Sequence, residues 1–249
     1  MVTTQLIPST LSEVGFGFHG KLYGRQKVFT YDAYLVNGLQ DGIILNSEGR
    51  TFLPAGKTPT MFGQDNNGQP MLATKIAFRH RKIGEVGISY YGGTYNSYKL
   101  DRLPITSKMR LSLYALDFNT QIGSAVINGE LAAVHLKLPS ALGPAFGHRQ
   151  AGGYMEVVYT VINSTILGYK QTAFNVNLRV EALDYNRGTF PETGQRRYDE
   201  IRAIVPGLSI RPSLNTVFRA NYRYHWTRDL LGNPTSRTAG IQIGFASYF

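Results

Sequence analysis

Apolar and polar residues alternate along most of the chain with a period of two, which is typical of strands whose two faces meet different surroundings. In the segment 173–185 one face receives Phe174, Val176, Leu178, Val180 and Ala182. The other face receives Asn175, Asn177, Arg179 and Glu181. Segments of this kind, separated by clusters of Gly, Asn, Asp and Pro, predict eleven strands at residues 12–23, 27–37, 71–82, 85–93, 108–118, 123–135, 153–163, 172–186, 200–211, 214–227 and 237–249.

The connections between the predicted strands alternate in length. Short ones lie at 24–26, 83–84, 119–121 and 212–213, and 164–171 is slightly longer. Long ones lie at 38–70, 94–107, 136–152, 187–199 and 228–236. Tight turns at one end and long loops at the other are typical of outer-membrane barrels, whose strands cross the bilayer with about 9–11 residues. The pattern predicts an all-β fold, a transmembrane antiparallel up-and-down β-barrel.

A soluble β-sandwich that binds anionic ligands also alternates in this way, and it stays open as a less favoured fold. Aromatic residues at the strand ends favour the barrel, because aromatic rings concentrate at both membrane interfaces. The aromatic residues in question are Tyr90, Tyr91, Tyr222, Tyr224, Trp226, Phe245, Tyr248 and Phe249.

Composition, charge and motifs limit the classes of function that the chain can have. The 249 residues carry a net charge of +10, which predicts an anionic partner such as phosphate, acidic solutes or lipopolysaccharide. Without cysteine there is no thiol catalysis and no Cys-based metal site. The sequence holds no HExxH, GxSxG or GxxxxGK[ST] motif, so we expect neither an enzyme nor a cofactor or metal. The basic residues are spread over many strands, which argues against a nucleic-acid site.

The basic residues fall mainly on the polar face of the predicted strands. The residues predicted to line a pore are Lys75, Arg79, Arg81, Arg110, Arg179, Arg219 and Arg223, with Lys21 and Arg211 beside them. The acids on the same face are Asp32, Glu85, Glu130, Glu156 and Glu181. An excess of Arg and Lys lowers the barrier for anions. The alternative is that these charges are paired, as Arg179 and Glu181 would be, and only keep the wall solvated.

Several stretches resemble the outer-membrane porin family that includes the phosphate-selective porins (porins O and P). They are LIPSTLSEVGFGFHGKL at 6–22, FTYDAYLVNG at 29–38, GISYYGGTYN at 87–96, ALDF at 115–118 and the terminal GFASYF. The resemblance implies a location in the bacterial outer membrane and contact with its lipid and lipopolysaccharide. It also implies a homotrimer and an insertion signal for the barrel-assembly machinery in the last strand. Residues Ile241, Ile243, Phe245 and Phe249 carry that signal.

In such relatives the LIPST segment follows a signal peptide and several strands, and eleven is an odd number whereas single-chain bacterial barrels have even ones. Met1–Thr10 lacks the pattern of a signal peptide. We therefore expect residues 1–249 to form one barrel domain that is the C-terminal part of a larger, even-stranded barrel. A short twelfth strand at 2–7 is the alternative.

The connection 136–152 is long and partly apolar, which is unusual for a solvated loop. It predicts a constriction loop that carries Lys137, His148 and Arg149 into the lumen, and a loop packed on its neighbours above the membrane is equally compatible. The connection 38–70 is interpreted as a surface loop.

The function predicted from these features is a porin for passive diffusion of small hydrophilic solutes, with a preference for anions and, less strongly, for phosphate. The sequence contains no dense lysine cluster like that of the phosphate-selective relatives, so phosphate selectivity is the weaker expectation. The alternative is the barrel part of a non-conducting or plugged outer-membrane receptor or transporter.

Overall fold

The computed structural model describes residues 6, 12–39, 50–53, 67–100, 103–139, 142, 146–166, 169–213 and 215–248. All regular structure in these ranges is β, and no helix there is long and apolar enough to cross a membrane. The strands are β1 (Gly15–Tyr23), β2 (Lys27–Val36), β3 (Met71–His80), β4 (Gly84–Thr94), β5 (Lys99–Leu100), β6 (Leu103–Pro104), β7 (Arg110–Ile122), β8 (Ala125–Leu136), β9 (Arg149–Ile166), β10 (Tyr169–Asp184), β11 (Glu200–Ser213), β12 (Thr216–Arg228) and β13 (Ser236–Ser247).

Eleven of these strands form one antiparallel sheet in the order of the sequence, β1-β2-β3-β4-β7-β8-β9-β10-β11-β12-β13. Each strand pairs with its neighbours in the chain, so the topology is up-and-down throughout. Within the described ranges, β1 and β13 have a strand partner on one side only. The all-β antiparallel fold and its eleven strands are confirmed, whereas closure into a barrel stays a prediction.

The observed strands differ from the predicted ones mainly where they extend into, or lie within, the predicted connections. β9 has 18 residues and extends beyond the predicted 153–163 at both ends, into the connection 136–152 and towards β10. β10 has 16 residues, begins three residues before the predicted 172–186 and ends two residues before the end of that range. The two-residue strands β5 and β6 form a separate hairpin within the predicted connection 94–107. Two residues are too few to establish an alternating pattern, which is why the sequence does not reveal them. The alternative twelfth strand at 2–7 lies outside the described residues, apart from Leu6.

The pairing register assigns one face of the sheet to apolar residues. Residues opposite each other in an antiparallel pair lie on the same face, and successive residues alternate between faces. The apolar face carries, from β1 to β13, Phe18, Tyr31, Ile76, Ile88, Leu116, Leu131, Met155, Val180, Ile204, Tyr222 and Ile241. Phe18 is 75% exposed, Ile241 74% and Ile243 84%, so nothing in the described structure covers this face.

The opposite, polar face carries Lys21, Asp32, Lys75, Ser89, Asp117, Glu130, Glu156, Arg179, Ser209, Arg223 and Gln242 in the same strand order. The two ends of the sheet also differ. The tight turns between β1 and β2, β3 and β4, and β7 and β8 lie at one end, here called the turn end. The long connections lie at the other, here called the long-loop end.

The buried core lies on the polar face at the long-loop end. Met71, Leu111 and Leu113 are on this face by register, yet they are almost fully buried. Tyr95, Met109, Leu39 and Leu53 from the connections pack with them. These four residues of the connections therefore lie over the polar face, where packing removes their apolar side chains from water.

Candidate functional site

The polar face gathers most of the residues predicted to line a pore. Lys75 and Arg79 lie on it in β3, Arg179 in β10, and Arg219 and Arg223 in β12. These five belong to three separate parts of the chain, and the sheet register brings them to one surface.

Two predicted pore residues lie elsewhere. Arg110 opens β7 in register with Thr94 and shares the face of Tyr114, so its assignment to the polar face is wrong. The reason is the alternation itself, since Arg110 is an odd number of residues from Leu111, Leu113 and Asp117, which are on the polar face. Arg81 lies in the turn after β3, where its backbone N–H donates to the Gln26 carbonyl at 3.0 Å.

Two arginines share one buried carboxylate on β10. Nε of Arg179 donates to Oε1 of Glu181 at 2.6 Å, and Nη2 of Arg223 donates to Oε2 at 2.8 Å. The Arg179 guanidinium also stacks 3.6 Å from the centre of the Tyr154 ring. Since Arg179 and Glu181 are both buried, this cluster is part of the wall, and only one of its two positive charges remains uncompensated.

A second ion pair crosses three strands. Nζ of Lys75 on β3 contacts Oδ1 of Asp117 on β7 at 2.5 Å, passing over Gly87 on β4. A Cβ atom on Gly87 would lie 2.3 Å from Oδ2 of Asp117, so the missing side chain leaves room for this contact. The sequence analysis missed Asp117, although it alternates with Ala115 and Asn119 on the polar face.

The strands of the polar face therefore carry nearly balanced charge. Its cationic side chains are Lys21, Lys75, Arg79, Arg179, Arg211, Arg219 and Arg223. Its carboxylates are Asp32, Glu85, Asp117, Glu130, Glu156 and Glu181. The positive excess is local rather than spread evenly over the face.

The uncompensated positive charge is concentrated near the turn end. A cavity of about 710 Å³ on the polar face of β8–β12 is lined by Asn128, Glu156, Asn175, Asn221, Arg211 and Arg219, among others. Neither arginine makes an ion pair within the described residues. Two guanidinium groups among amide side chains form a polar surface that can donate hydrogen bonds to anions.

The amides of this cavity are held in place. Asn175 accepts a hydrogen bond from the Thr160 hydroxyl at 2.8 Å and donates to the Ser209 hydroxyl at 3.2 Å. A Cβ on Gly207 would lie 1.9 Å from Oδ1 of Asn221, so glycine is required there for that amide to lie over β11. Arg219 and Arg211 were predicted to lie at the pore, whereas the asparagines were predicted only to lie on the polar face, because their individual side chains carry no motif.

The polar face is covered at the long-loop end by residues of a connection that was predicted to lie on the surface. The Thr51 hydroxyl donates to the Gly147 carbonyl at 2.5 Å, and Nε2 of Gln150 donates to the Thr51 carbonyl at 2.8 Å. Nη2 of Arg50 donates to Oδ1 of Asp199 at 2.6 Å. The surface prediction for 38–70 is therefore wrong for residues 50–53, which supply buried contacts that their composition did not reveal.

A second buried group lies beside this segment. Leu6 is 1% exposed and packs with Ala132, Leu183 and Tyr185, with Phe52 against the same group. Ala132 and Leu183 are on the polar face, so the group covers that face between β8 and β10.

The predicted constriction residues lie at the opposite face. Arg149 is in register with His135 on the apolar face. Lys137 and His148 line a cavity of about 550 Å³ with Arg110 and His135. The expectation that these three residues lie on the polar face is therefore not met, because Arg149 is the first residue of β9 and its register with His135 places it on the apolar face.

The environment of His148 is positively charged. Burial and the nearby Arg197 and Arg149 guanidinium groups lower the pKa of His148 below its ordinary value. His148 is therefore mainly neutral near pH 7.

The predicted insertion-signal residues lie on the apolar face of β13. Ile241, Ile243 and Phe245 are all exposed there, and the Phe245 ring lies 4.8 Å from that of Phe218 on β12. Phe249 lies outside the described residues. Their role as a signal stays a prediction.

Within the described ranges, no group of three or more His, Asp or Glu side chains is arranged to hold a metal ion. The predicted membership of the porin family also stays a prediction. No protein-family model, curated protein or solved structure matches the chain.

Proposed function

We propose that this protein is a porin of the bacterial outer membrane, in which the apolar face meets lipid and the polar face lines a path for small hydrophilic solutes. The observation that carries the proposal is the segregation of the two faces over all eleven strands of the sheet. The proposal requires the sheet to be closed, because an open edge in lipid leaves backbone groups without hydrogen bonds.

The exposed apolar face supports a membrane location. Soluble monomers rarely expose apolar patches of more than a few hundred Å². Here large apolar side chains are exposed on every strand from β1 to β13 of the main sheet, while the charged residues in the middle of the strands are on the other face and those of the apolar face lie near the strand ends. Lipid is the surrounding that makes this arrangement favourable, because each apolar side chain removed from water contributes about 1.5–3 kcal/mol.

The polar face supports conduction with a preference for anions. Arg211 and Arg219 present two guanidinium groups to one cavity, with Glu156 as its only carboxylate among the described lining residues. Guanidinium groups bind phosphate and carboxylate through paired hydrogen bonds, and two of them favour anions over cations. The passing solutes are accordingly small anions, and phosphate belongs to that class.

The buried groups at the long-loop end favour a second candidate. Residues 50–53 and Leu6 cover the polar face where β8, β9 and β10 end. If this cover closes the path, the protein is the barrel part of a non-conducting receptor or a plugged transporter. Conduction across a bilayer separates the two candidates.

Single cysteines test the assignment of the faces, since the chain has none of its own. Asn221→Cys and Tyr222→Cys are neighbours on β12 that point to opposite faces. In protein inserted into lipid vesicles, we expect a water-soluble thiol reagent to modify Cys at 221. A fluorophore attached at 222 before insertion is expected to be quenched by brominated lipid.

The same pair provides the control, because each position is the reference for the other. Equal modification at 221 and 222, with no quenching by brominated lipid at either, would show that the sheet does not separate water from lipid.

A further inference from the structure

Basic residues gather where the apolar face of β7, β8 and β9 reaches the long-loop end. Arg110, His135 and Arg149 are the residues of these strands on that face nearest the loops. Two cavities lie beside them and share His148. The one of about 550 Å³ is lined by Arg110, His135, Lys137 and His148, and the one of about 500 Å³ by His148, Arg149, Arg187 and Arg197. These seven residues are called the basic rim.

The basic rim has little compensating charge. No carboxylate is among the described residues that line either cavity. Arg110, Lys137, Arg149 and Arg187 are exposed, and none of them makes an ion pair within the described ranges. At the turn end, the apolar face of β7 and β8 ends in Ile122 and Ala125, and Tyr159 of β9 lies opposite Ala125, so the positive charge of this face is at the long-loop end of these strands.

An apolar groove of about 720 Å³ begins at the basic rim, and Arg187 lines both. Its floor consists of small residues on the apolar face, Ala151, Gly153 and Ala182, and larger side chains such as Phe118, Leu131 and Met155 border it. Asp184 and Glu200 also line it: Arg196 contacts both, Arg202 contacts Glu200, and Asp184 interacts electrostatically with Arg187. Four cations, Arg149, Arg187, Arg196 and Arg202, therefore lie at this end of the groove beside two carboxylates, which leaves an excess of positive charge there.

We propose that the basic rim and this groove together bind one anionic phosphate-bearing lipid, with its headgroup phosphate on Arg149 and Arg187 and an acyl chain in the groove. This inference rests on the membrane location proposed above. Lipid is the class of anion that fits, because the basic rim borders the apolar face, where a solute crossing on the polar face does not pass.

The proposed geometry explains the placement of the charges along the chain. Anionic headgroups attract basic residues that flank a membrane-spanning segment, and guanidinium groups bind phosphate through a planar pair of N–H donors. Arg187, the third residue after β10, lines the groove, and Arg149, the first residue of β9, lines the adjoining cavity with it. The Arg187 backbone N–H donates to the Arg149 carbonyl at 2.8 Å, so the two residues are adjacent.

The experiment uses the full chain in phosphatidylcholine nanodiscs, with the bound lipids counted by native mass spectrometry. Bisphosphorylated lipid A is the probe, and fully dephosphorylated lipid A is the matched competitor. We expect the phosphorylated probe to be retained preferentially. The variant Arg149→Gln with Arg187→Gln is expected to weaken this retention about tenfold.

Two further variants separate the effect of charge at the basic rim from the effects of charge elsewhere and of the groove. Arg25→Gln with Lys82→Gln removes two charges from the turns at the other end and is expected to leave retention unchanged. Ala182→Phe fills the groove and keeps every charge, and it is expected to lower the retention of acylated probe. Equal retention of the two lipids, or retention unaffected by Arg149→Gln with Arg187→Gln, overturns the proposal.

Conductance of the same double variant separates this proposal from the function. Unchanged conductance with lost lipid retention supports both the path and the lipid site. If the unaltered protein conducts but does not retain the phosphorylated lipid preferentially, the lipid site alone is overturned. If the unaltered protein does not insert into the bilayer, both the lipid site and the proposed function are overturned.

Discussion

Glu181 is the residue on which the ion cluster of the polar face depends. It is buried, and it is the carboxylate that both Arg179 and Arg223 contact. Glu181→Gln leaves two guanidinium groups facing each other without a counterion. Because removing one partner of a buried ion pair leaves an uncompensated charge, we expect the free energy of unfolding to fall by about 3 kcal/mol, measured by urea titration in lipid vesicles.

Glu85→Gln is the matched control, because Glu85 is an exposed carboxylate of the same face without an ion pair in the described residues. Its free energy of unfolding is expected to change by less than about 0.5 kcal/mol. Equal effects of the two substitutions would show that the Arg179–Glu181–Arg223 contacts do not stabilise the sheet.

Protonation of His148, a residue of the basic rim, makes the stability of the protein depend on pH. Its pKa is lowered in the folded protein, so the unfolded chain binds the proton more readily. Stability is therefore fully present above the unfolded pKa of about 6.5 and decreases as the pH falls from that value towards the folded pKa. We expect Arg149→Gln to raise the pKa of His148, measured by NMR titration of labelled histidine with His148→Asn for assignment.

The direction of this shift is the test. A His148 pKa that stays unchanged when Arg149 becomes glutamine would mean that the guanidinium is too distant to act on the imidazole, and the basic rim would then not form a single charged site.

At this scale the sequence predicts which face a residue occupies wherever the alternation is unbroken, as for Lys75, Arg179 and Arg219. It fails at Arg110, because its apolar neighbours Leu111 and Leu113 lie on the polar face, where residues of the connections bury them, so polarity alone assigns the wrong face there. It also leaves the pairing of charges open, because the contact of Lys75 with Asp117 depends on Gly87 between them.

Among the strands, β13 gives the clearest test of the two faces. Ile241 and Gln242 are neighbours in the middle of it and lie on the apolar and the polar face. Ile241→Lys is expected to destabilise the inserted protein by about 2–4 kcal/mol, because a lysine near the bilayer midplane loses its hydration. Refolding into lipid vesicles, followed by the heat-dependent mobility of the folded form on gels, measures the effect.

Gln242→Lys provides the matched control and is expected to insert normally, since its side chain would lie in the aqueous path. If both substitutions were tolerated equally, the apolar face of β13 would not be in contact with lipid.

The elements differ in how far the sequence predicts them. Strand order follows from the alternation and the short turns, because consecutive antiparallel strands pair by default. The placement of residues 50–53 does not follow, since it depends on hydrogen bonds from Thr51 and Gln150 between parts of the chain about 100 residues apart. A connection of mixed composition gives no signal for such contacts.

For the whole molecule, the sheet explains why a chain with a charge of +10 has a polar face of nearly balanced charge. Among the described residues, positive charge without ion pairs lies at the cavity with Arg211 and Arg219, at the basic rim and in the turns. The total charge follows from the sequence, but only the register shows how the charge is distributed. Under the proposed function, the cavity with Arg211 and Arg219 faces the solute path and the basic rim faces lipid.

Planar-bilayer recording across a salt gradient tests whether the polar face lines an anion-selective path. We expect discrete conductance steps and a reversal potential of the sign that indicates anion selectivity, because Arg211 and Arg219 leave the path with an excess of positive charge. A channel selective for cations would contradict the assignment of these arginines. A protein that inserts without conducting would contradict the porin itself and favour the closed barrel.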